Sequence, residues 1–393
     1  MTKVLCISDY FLPGHLGGGP IRTIDNMRKQ LLGSISISVF TRDRDLGSDK
    51  PYKNVQPDQW QDSPTGPIYY ASPACFGLRG LMQALKQDNF DIIYLNSFFS
   101  ISASIAPYIT LRKVAFKQRL ILAPRGEFSV GALAVKRFKK QSFMKLVRLL
   151  RLYQDVFWHA STQKEAEDIL RLFPEAKERI YVAPDPIVAL SENEIPPSAY
   201  KMPGRLKMVF VSRISPKKNL DGLIRLLSTV RASVELDIFG PIEDCLYWKL
   251  CEKEIASLPG NIQVTFHGPI SHEMVSSTFA RHDLFAFPTH GENFGHVIFE
   301  ALRAGTPVQI SDQTPWAPDE SGGIEVIPLN DLDSWRRAIE IAAAAEDSKY
   351  KKRRFAAFEY AQHYAKMSLS TDENLRMFQS VASFDSSSSS RNS

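Results

Sequence analysis

The sequence predicts an α/β protein built from two successive doubly wound, Rossmann-like lobes. Three observations carry this. Short apolar runs alternate with helical patterns from the first residues onward, a proline-rich stretch interrupts the alternation near mid-chain, and the alternation then begins afresh. At 393 residues the chain is also too long for one ordinary core.

In the first half, strands are expected at Lys3–Ser8, Ile35–Phe40, Asp91–Asn96, Leu120–Ala123, Asp155–Ala160 and Ile180–Ala183. Helical patterns near Pro20–Leu32, Leu78–Lys86, Ser102–Arg112, Gly131–Tyr153 and Thr162–Phe173 separate them. Apolar strands alternating with helices are the mark of a parallel sheet covered on both faces. Pro184, Pro186, Pro196, Pro197 and Pro203 then break both ladder and helix, so residues 187–204 read as a linker. The second lobe takes strands at Leu206–Ser212, Glu235–Phe239, Gln263–His267, Leu284–Pro288, Pro307–Ser311 and Gly323–Ile327. Its helices fall at Lys217–Val230, Cys245–Ser257, Ser271–Arg281, His296–Arg303 and Asp331–Ala344. The domains expected are 1–186, 205–360, and a helical segment over 361–383 returning to the first lobe, followed by a disordered serine-rich tail over 384–393. Two such lobes facing a central cleft would bind ligands outside the carboxyl ends of their strands.

Composition excludes several classes. Hydrophobic residues make up 44% and charged residues 23%, ordinary values for a globular protein, and no run is long enough to span a membrane. The first residues lead straight into a strand without signal-peptide architecture, and Cys6, Cys75, Cys245 and Cys251 lack metal-ligand spacing. A reduced, cytoplasmic protein is expected. The net charge of +5 is modest, but Lys136, Arg137, Lys139, Lys140, Lys145, Arg148 and Arg151 occur with no acid among them. Leu133, Phe138, Phe143, Met144, Leu146, Val147, Leu149 and Leu150 are interleaved with these cations. The pattern fits a helix covering the sheet, and also one touching an anionic membrane surface through Lys136, Arg137, Lys139 and Lys140. A peripheral position on the cytoplasmic face of the inner membrane would follow. No nucleic-acid module is visible.

The strongest constellation is His290-Gly-Glu292-Asn293-Phe294-Gly295-His296, running through Glu300 to Gly305-Thr-Pro-Val308. A strand ends, a glycine-containing loop follows, and a helix opens with N–H groups suited to a phosphate. Glu300, two turns in, can accept two hydrogen bonds from a vicinal diol such as ribose. A second constellation, Arg213-Ile-Ser-Pro-Lys217-Lys218, follows the first strand of the second lobe. Arg213 can bond phosphate oxygens in bidentate fashion and Lys218 adds a point charge, with Lys217 as its rival. Fixed cations there would stabilise a departing diphosphate.

Two glutamates separated by seven residues, then Ala-Leu and Gly-Thr-Pro-Val, resemble the signature of glycosyltransferase family 4, a retaining GT-B family. The string from Pro288 to Ile298 and the later Ser311–Trp316 resemble bacterial members that build surface polysaccharides. The resemblance is close from about Leu206 to Trp316 and looser before it. It implies that Glu292 lies near the transferred sugar and Glu300 on the nucleotide ribose. Arg213 and Lys218 would form the diphosphate clamp, and Asn293, Phe294, Gly295 and His296 would contact the donor. A nucleotide diphosphate sugar would then be the donor, a glycan or lipid-linked glycan the acceptor, and no metal or other cofactor would be required.

Phe11–Pro20 carries a glycine run between the first strand and first helix, without the Gly-x-Gly-x-x-Gly spacing in the usual register. In the family this loop faces the cleft, which places Gly18 and Gly19 at the donor and His15 on the acceptor side. Similar Pro-Arg-Gly strings make Arg125 and Glu127 acceptor-side candidates, with no general base assigned. Asp43-Arg-Asp45 mimics a metal-binding Asp-x-Asp, but lies far from the donor constellation and reads as a solvated loop. His159 ends a strand and reads as structural. The rivals are another GT-B chemistry, such as a nucleotide-sugar epimerase or phosphorylase, and a non-catalytic glycan-binding protein.

Overall fold

A computed structural model describes residues 1–113, 118–134, 137–187, 200–370 and 372–384. The chain divides into two units: Met1–Ile187 with Leu369–Ser393, and Val188–Ser368.

The first unit runs β1 Thr2–Ile7, α1 Gly19–Gln30, β2 Ile35–Arg42, β3 Trp60–Gln61, β4 Ile68–Ala71, α2 Leu78–Gln87 and β5 Ile92–Asn96. It continues through a wide turn at Ile101–Ile105 into α3 Ala106–Lys113, then β6 Arg119–Ala123, α4 Val130–Ala134, α5 Arg137–Leu149, β7 Phe157–Ala160, α6 Gln163–Leu172 and β8 Ile180–Val182. The strand order is β3-β4-β2-β1-β5-β6-β7-β8, parallel except for β3. β1 shows why both faces must be covered: Val4 and Cys6 enter one apolar cluster and Leu5 and Ile7 the other.

The second unit runs β9 Arg205–Val211, α7 Leu220–Leu227, β10 Ser233–Phe239, α8 Cys245–Ala256, β11 Ile262–Gly268, α9 His272–Ala280 and β12 Leu284–Phe287. It ends with α10 His296–Arg303, β13 Val308–Ser311, β14 Ile324–Ile327, α11 Leu332–Ala344 and α12 Asp347–Ser370. Its wholly parallel order, β11-β10-β9-β12-β13-β14, places the third, second, first, fourth, fifth and sixth strands side by side. That is the doubly wound dinucleotide-fold order, and its direction of winding reverses between β9 and β12. In the first unit the reversal lies between β1 and β5.

Several expectations need correction. β3 and β4 were not foreseen. α12 extends helix to Ser370, so the boundary with the returning segment lies at Leu369 rather than 361. The returning helix α13, Glu373–Ser383, buries Met377, Phe378 and Val381 in the first unit's core, with the Phe378 and Tyr94 ring centroids 5.9 Å apart.

 The tail was expected to begin at Phe384, yet that residue is held: its ring meets Phe157 edge-on at 4.9 Å and its carbonyl accepts from Arg119. The rest of the tail, residues 385–393, lies outside the described residues. The helix expected over Gly131–Tyr153 is described as α4 and α5, and it stops at Leu149 because Arg151 and Tyr153 take φ of 50° and 67°. No helix among the described residues is long and apolar enough to cross a membrane.

Candidate functional site

The reversal point of the second unit gathers the main sequence constellations. The loop after β9 carries Arg213, then a tight turn at Pro216–Lys218. α7 starts only at Leu220, not at Lys217 as expected, because Asn219 adopts a left-handed φ of 57°. The Asn219 side-chain amide donates to the Pro288 carbonyl at 2.8 Å, which ties this turn to the loop after β12. Two further bonds complete the seam, as His290 N–H and the Thr289 hydroxyl both donate to the Lys217 carbonyl, at 2.9 and 3.1 Å. Lys217 thus contributes its backbone to the site's frame, and Lys218 contributes its ammonium.

Lys218 and Glu292 form a direct ion pair, with side chains only 11% and 12% exposed. The Lys218 ammonium also lies 5.4 Å from the centre of the Phe287 ring. The Glu292 N–H donates to the Gln313 carbonyl at 3.1 Å, so the loop after β13 fixes its backbone. Arg213 is more open and pairs with Glu243 at 2.9 Å. Gly295 caps α10 with φ 81°, and a Cβ there would meet Ile298 Cδ1 at 2.9 Å, so glycine is required at this bend.

The neighbouring residues divide into two groups. Phe294 is buried, packed at tilted angles against Trp316 and Tyr364, and its carbonyl accepts from the Trp316 indole at 2.6 Å. It therefore supports the loop rather than presenting a surface to a ligand, a correction to its expected donor contact. The Asn293 amide nitrogen is buried without a partner, and the His296 ring lies 4.7 Å from that of Phe294. Glu300, on α10, lies 3.7 Å from His272 Nδ1 at the start of α9. Nothing in the local sequence pattern pointed to His272, which reaches Glu300 only through the packing of α9 on α10.

In the first unit the glycine loop follows β1 at that sheet's own reversal point, and Gly18 takes φ 75° as α1 begins. His15 is 45% exposed in its side chain. Arg125 and Glu127, expected on the acceptor side, are instead built into the interior. Arg125 has a left-handed φ of 54°, and its guanidinium pairs with Asp185, donates to Asn96 Oδ1 at 2.9 Å and to the Tyr94 hydroxyl at 2.7 Å. Only one assignment satisfies the next two contacts. Tyr94 donates to His159 Nδ1 at 2.6 Å, and His159 Nε2 donates to the Ala183 carbonyl at 2.8 Å. Burial, with help from Arg125, pushes His159 down to about 4, which keeps the ring neutral as this relay requires. Glu127 accepts from the Ser97 hydroxyl at 2.8 Å and from the Phe98 and Phe99 N–H groups at 2.6 and 3.0 Å. Burial raises its carboxyl above the usual range, and those three donors pull it back. Both side chains are committed to holding strand ends together.

The basic helix also needs a correction. Lys140 turns inward, donating to the Ala132 carbonyl at 2.7 Å over the Phe99 ring. Lys139, Lys145, Arg148 and Arg151 are exposed, and so are Phe138, Leu146, Leu149 and Leu150. Lys136 and the Arg137 side chain lie outside the described residues.

Among the described residues no three His, Cys, Asp or Glu side chains cluster as a metal site would require. All four cysteines are free, and burial pushes Cys6 and Cys251 up to about 12, far from thiolate chemistry.

Two doubly wound parallel sheets with this order define the GT-B fold. Residues 191–347 match the family described as glycosyl transferases group 1, a stretch that contains the whole second-unit constellation. The chain is 27% identical over 191 residues to D-inositol 3-phosphate glycosyltransferase of Xylanimonas cellulosilytica, spanning 44% of this chain and 43% of that protein. It is 26% identical over 205 residues to O-antigen chain mannosyltransferase B of Escherichia coli, spanning 45% and 51%. The chain therefore aligns with about half or less of the length of these curated relatives. Among solved structures, sucrose-phosphate synthase of Thermosynechococcus elongatus matches with a TM-score of 0.68 at 17% identity, covering 97% of this chain and 100% of that one. Anabaena HepE, solved with UDP and glucose, matches with a TM-score of 0.65 at 17% identity, covering 97% and 98%.

Proposed function

We propose that the protein is a retaining glycosyltransferase of family 4 that moves a sugar from a nucleotide diphosphate donor to a glycan or lipid-linked glycan acceptor. The observation that carries this reading is the meeting of Lys218 and Glu292 at the β9/β12 reversal point, inside the stretch matching group 1 glycosyl transferases. In this reading Lys218 and Arg213 meet the diphosphate, and the first turn of α10 offers its N–H groups beside them. As the bond from the sugar's anomeric carbon to the phosphate oxygen breaks, negative charge gathers on the leaving oxygen. Lys218 and Arg213 favour that state over the ground state. Glu292 faces the transferred sugar and Glu300 holds the ribose hydroxyls. The E. coli O-antigen relative supports a role in surface polysaccharide assembly. We assign no step to a metal.

We further place the enzyme in the cytoplasm, at the membrane's inner face. Exposed Phe138, Leu149 and Leu150 beside Lys139, Lys145, Arg148 and Arg151 suit an anionic leaflet, each cation contributing about 1 kcal/mol near the surface.

The test is a panel of nucleotide sugars scored by thermal stabilisation and donor hydrolysis. Saturation at 100 times Kd should add about 2.7 kcal/mol of stability. If no nucleotide sugar stabilises or is consumed, the reading fails.

A further inference from the structure

The aspartate dismissed as part of a solvated loop is a structural partner of the glycine-rich loop. Asp45 lies just beyond β2, and its side chain is only 12% exposed. One carboxylate oxygen accepts from the His15 N–H at 2.8 Å, and the Leu16 N–H reaches both oxygens at 3.2 and 3.3 Å. The Leu46 N–H donates to the other oxygen at 2.8 Å, which fixes the carboxylate itself. The opposite side of the loop is held by two phenols: Tyr52 donates to the Phe11 carbonyl at 3.3 Å and Tyr70 to the Leu12 carbonyl at 2.7 Å. Space is tight as well as bonded. A Cβ on Gly14 would meet the Tyr52 hydroxyl at 2.2 Å and Asp45 Oδ1 at 3.0 Å.

A carboxylate under a loop read as substrate-facing is costly unless its charge is used. Here the loop's own amides use it. With His15 and Leu16 fixed, the chain enters α1 in one conformation and the His15 ring stays on the outer side, Nδ1 3.6 Å from Asp45. We propose that Asp45 is the positioning residue of the glycine-rich loop, holding His15 and the Gly17–Gly19 turn in the geometry that meets substrate. This rests on the reading above that the loop contacts substrate. Asp45 itself touches none.

The experiment compares Asp45→Ala and Asp45→Asn with wild type in four measurements: melting temperature, nucleoside diphosphate affinity, steady-state kinetics, and amide exchange across residues 11–21. Asp45→Ala should lower kcat roughly 10- to 100-fold, the scale of a catalytic group displaced by about 1 Å. Diphosphate affinity should fall by no more than about fivefold, since only the Gly18 and Gly19 contacts loosen while Arg213, Lys218 and Glu300 lie in the other unit. Exchange should accelerate at His15 and Leu16 and stay unchanged in β1. Asp45→Asn keeps one acceptor oxygen and should recover part of kcat. The proposal is overturned if Asp45→Ala keeps kcat within twofold, or if melting temperature and diphosphate affinity collapse together, which marks a merely structural residue. If wild type consumes no nucleotide sugar, the glycosyl-transfer reading fails separately. Exchange then decides for Asp45: loop-confined acceleration supports the anchor, and unchanged rates overturn it.

Discussion

The Lys218–Glu292 pair makes a counterintuitive prediction: removing a charge proposed to serve catalysis should tighten nucleotide binding. With both side chains nearly buried, the pair holds the ammonium that the diphosphate would need. At contact distance, two unit charges attract by about 5 kcal/mol for an effective dielectric near 20, which sets a ceiling. Desolvation returns most of that, and hydrogen bonds to charged groups retain a net of about 1.5–3 kcal/mol. The incoming phosphate need only share Lys218, so we take about 1–1.5 kcal/mol as the cost it meets, or a factor of roughly 5–10 in Kd. Glu292→Gln keeps the volume and one acceptor oxygen but removes the charge. The affinity for the free nucleoside diphosphate should therefore rise about 5- to 10-fold, while turnover falls by about 10²-fold or more as a transition-state contact is lost. Isothermal titration of the diphosphate selected by the donor panel reads the first, and product formation reads the second. Glu300→Gln is the control and should weaken binding. Equal or weaker affinity in Glu292→Gln would refute the idea that the pair competes with phosphate.

Three further outcomes follow from the first unit. Arg125→Ala should destabilise it by about 3–5 kcal/mol in urea unfolding, since it strands buried Asp185; a loss below 1 kcal/mol would return Arg125 to the acceptor side. His159 has a lower folded than unfolded value, so the unfolded chain takes up the proton first, and stability should fall by roughly 3 kcal/mol as pH drops from about 6.5 to about 4. His159→Gln should remove that slope; the raised carboxyls of Glu127 and Glu165 act in the opposite sense in both proteins and leave the difference intact. Finally, the wild type should float with vesicles containing anionic lipid and detach at high salt, whereas Phe138, Leu149 and Leu150 changed to Ser with Lys139 and Lys145 changed to Gln should not.

The fold was legible because parallel strands buried on both faces leave apolar runs that periodicity detects, as in Val4-Leu5-Cys6-Ile7. β3 and β4 escaped because two and four residues carry no period. The first half of α12 escaped for another reason. Its buried residues are Tyr350, Arg354, Ala356, Ala357 and Phe358, and a charged arginine with two small alanines among them leaves little contrast with the polar side.

The site divides along the same physical line. Which residues carry charge near a strand end is local information, and Arg213, Lys218, Glu292 and Glu300 could be named from it. What each charge touches is set by chain segments far away in sequence. Lys218 meets a partner 74 residues on, Arg125 one 60 residues on, and Asp45 amides 30 residues back. The Arg125 and Asp45 readings failed for one reason: each charged loop residue was expected to face outward, Arg125 toward an acceptor and Asp45 toward water. Both are instead paired inside the fold, where an unpaired charge would be prohibitive and a paired one fixes the backbone around it. At a strand end of a doubly wound sheet, the charges that shape the loops and those that meet the ligand are of the same residue types. Only the identity of the partner separates them.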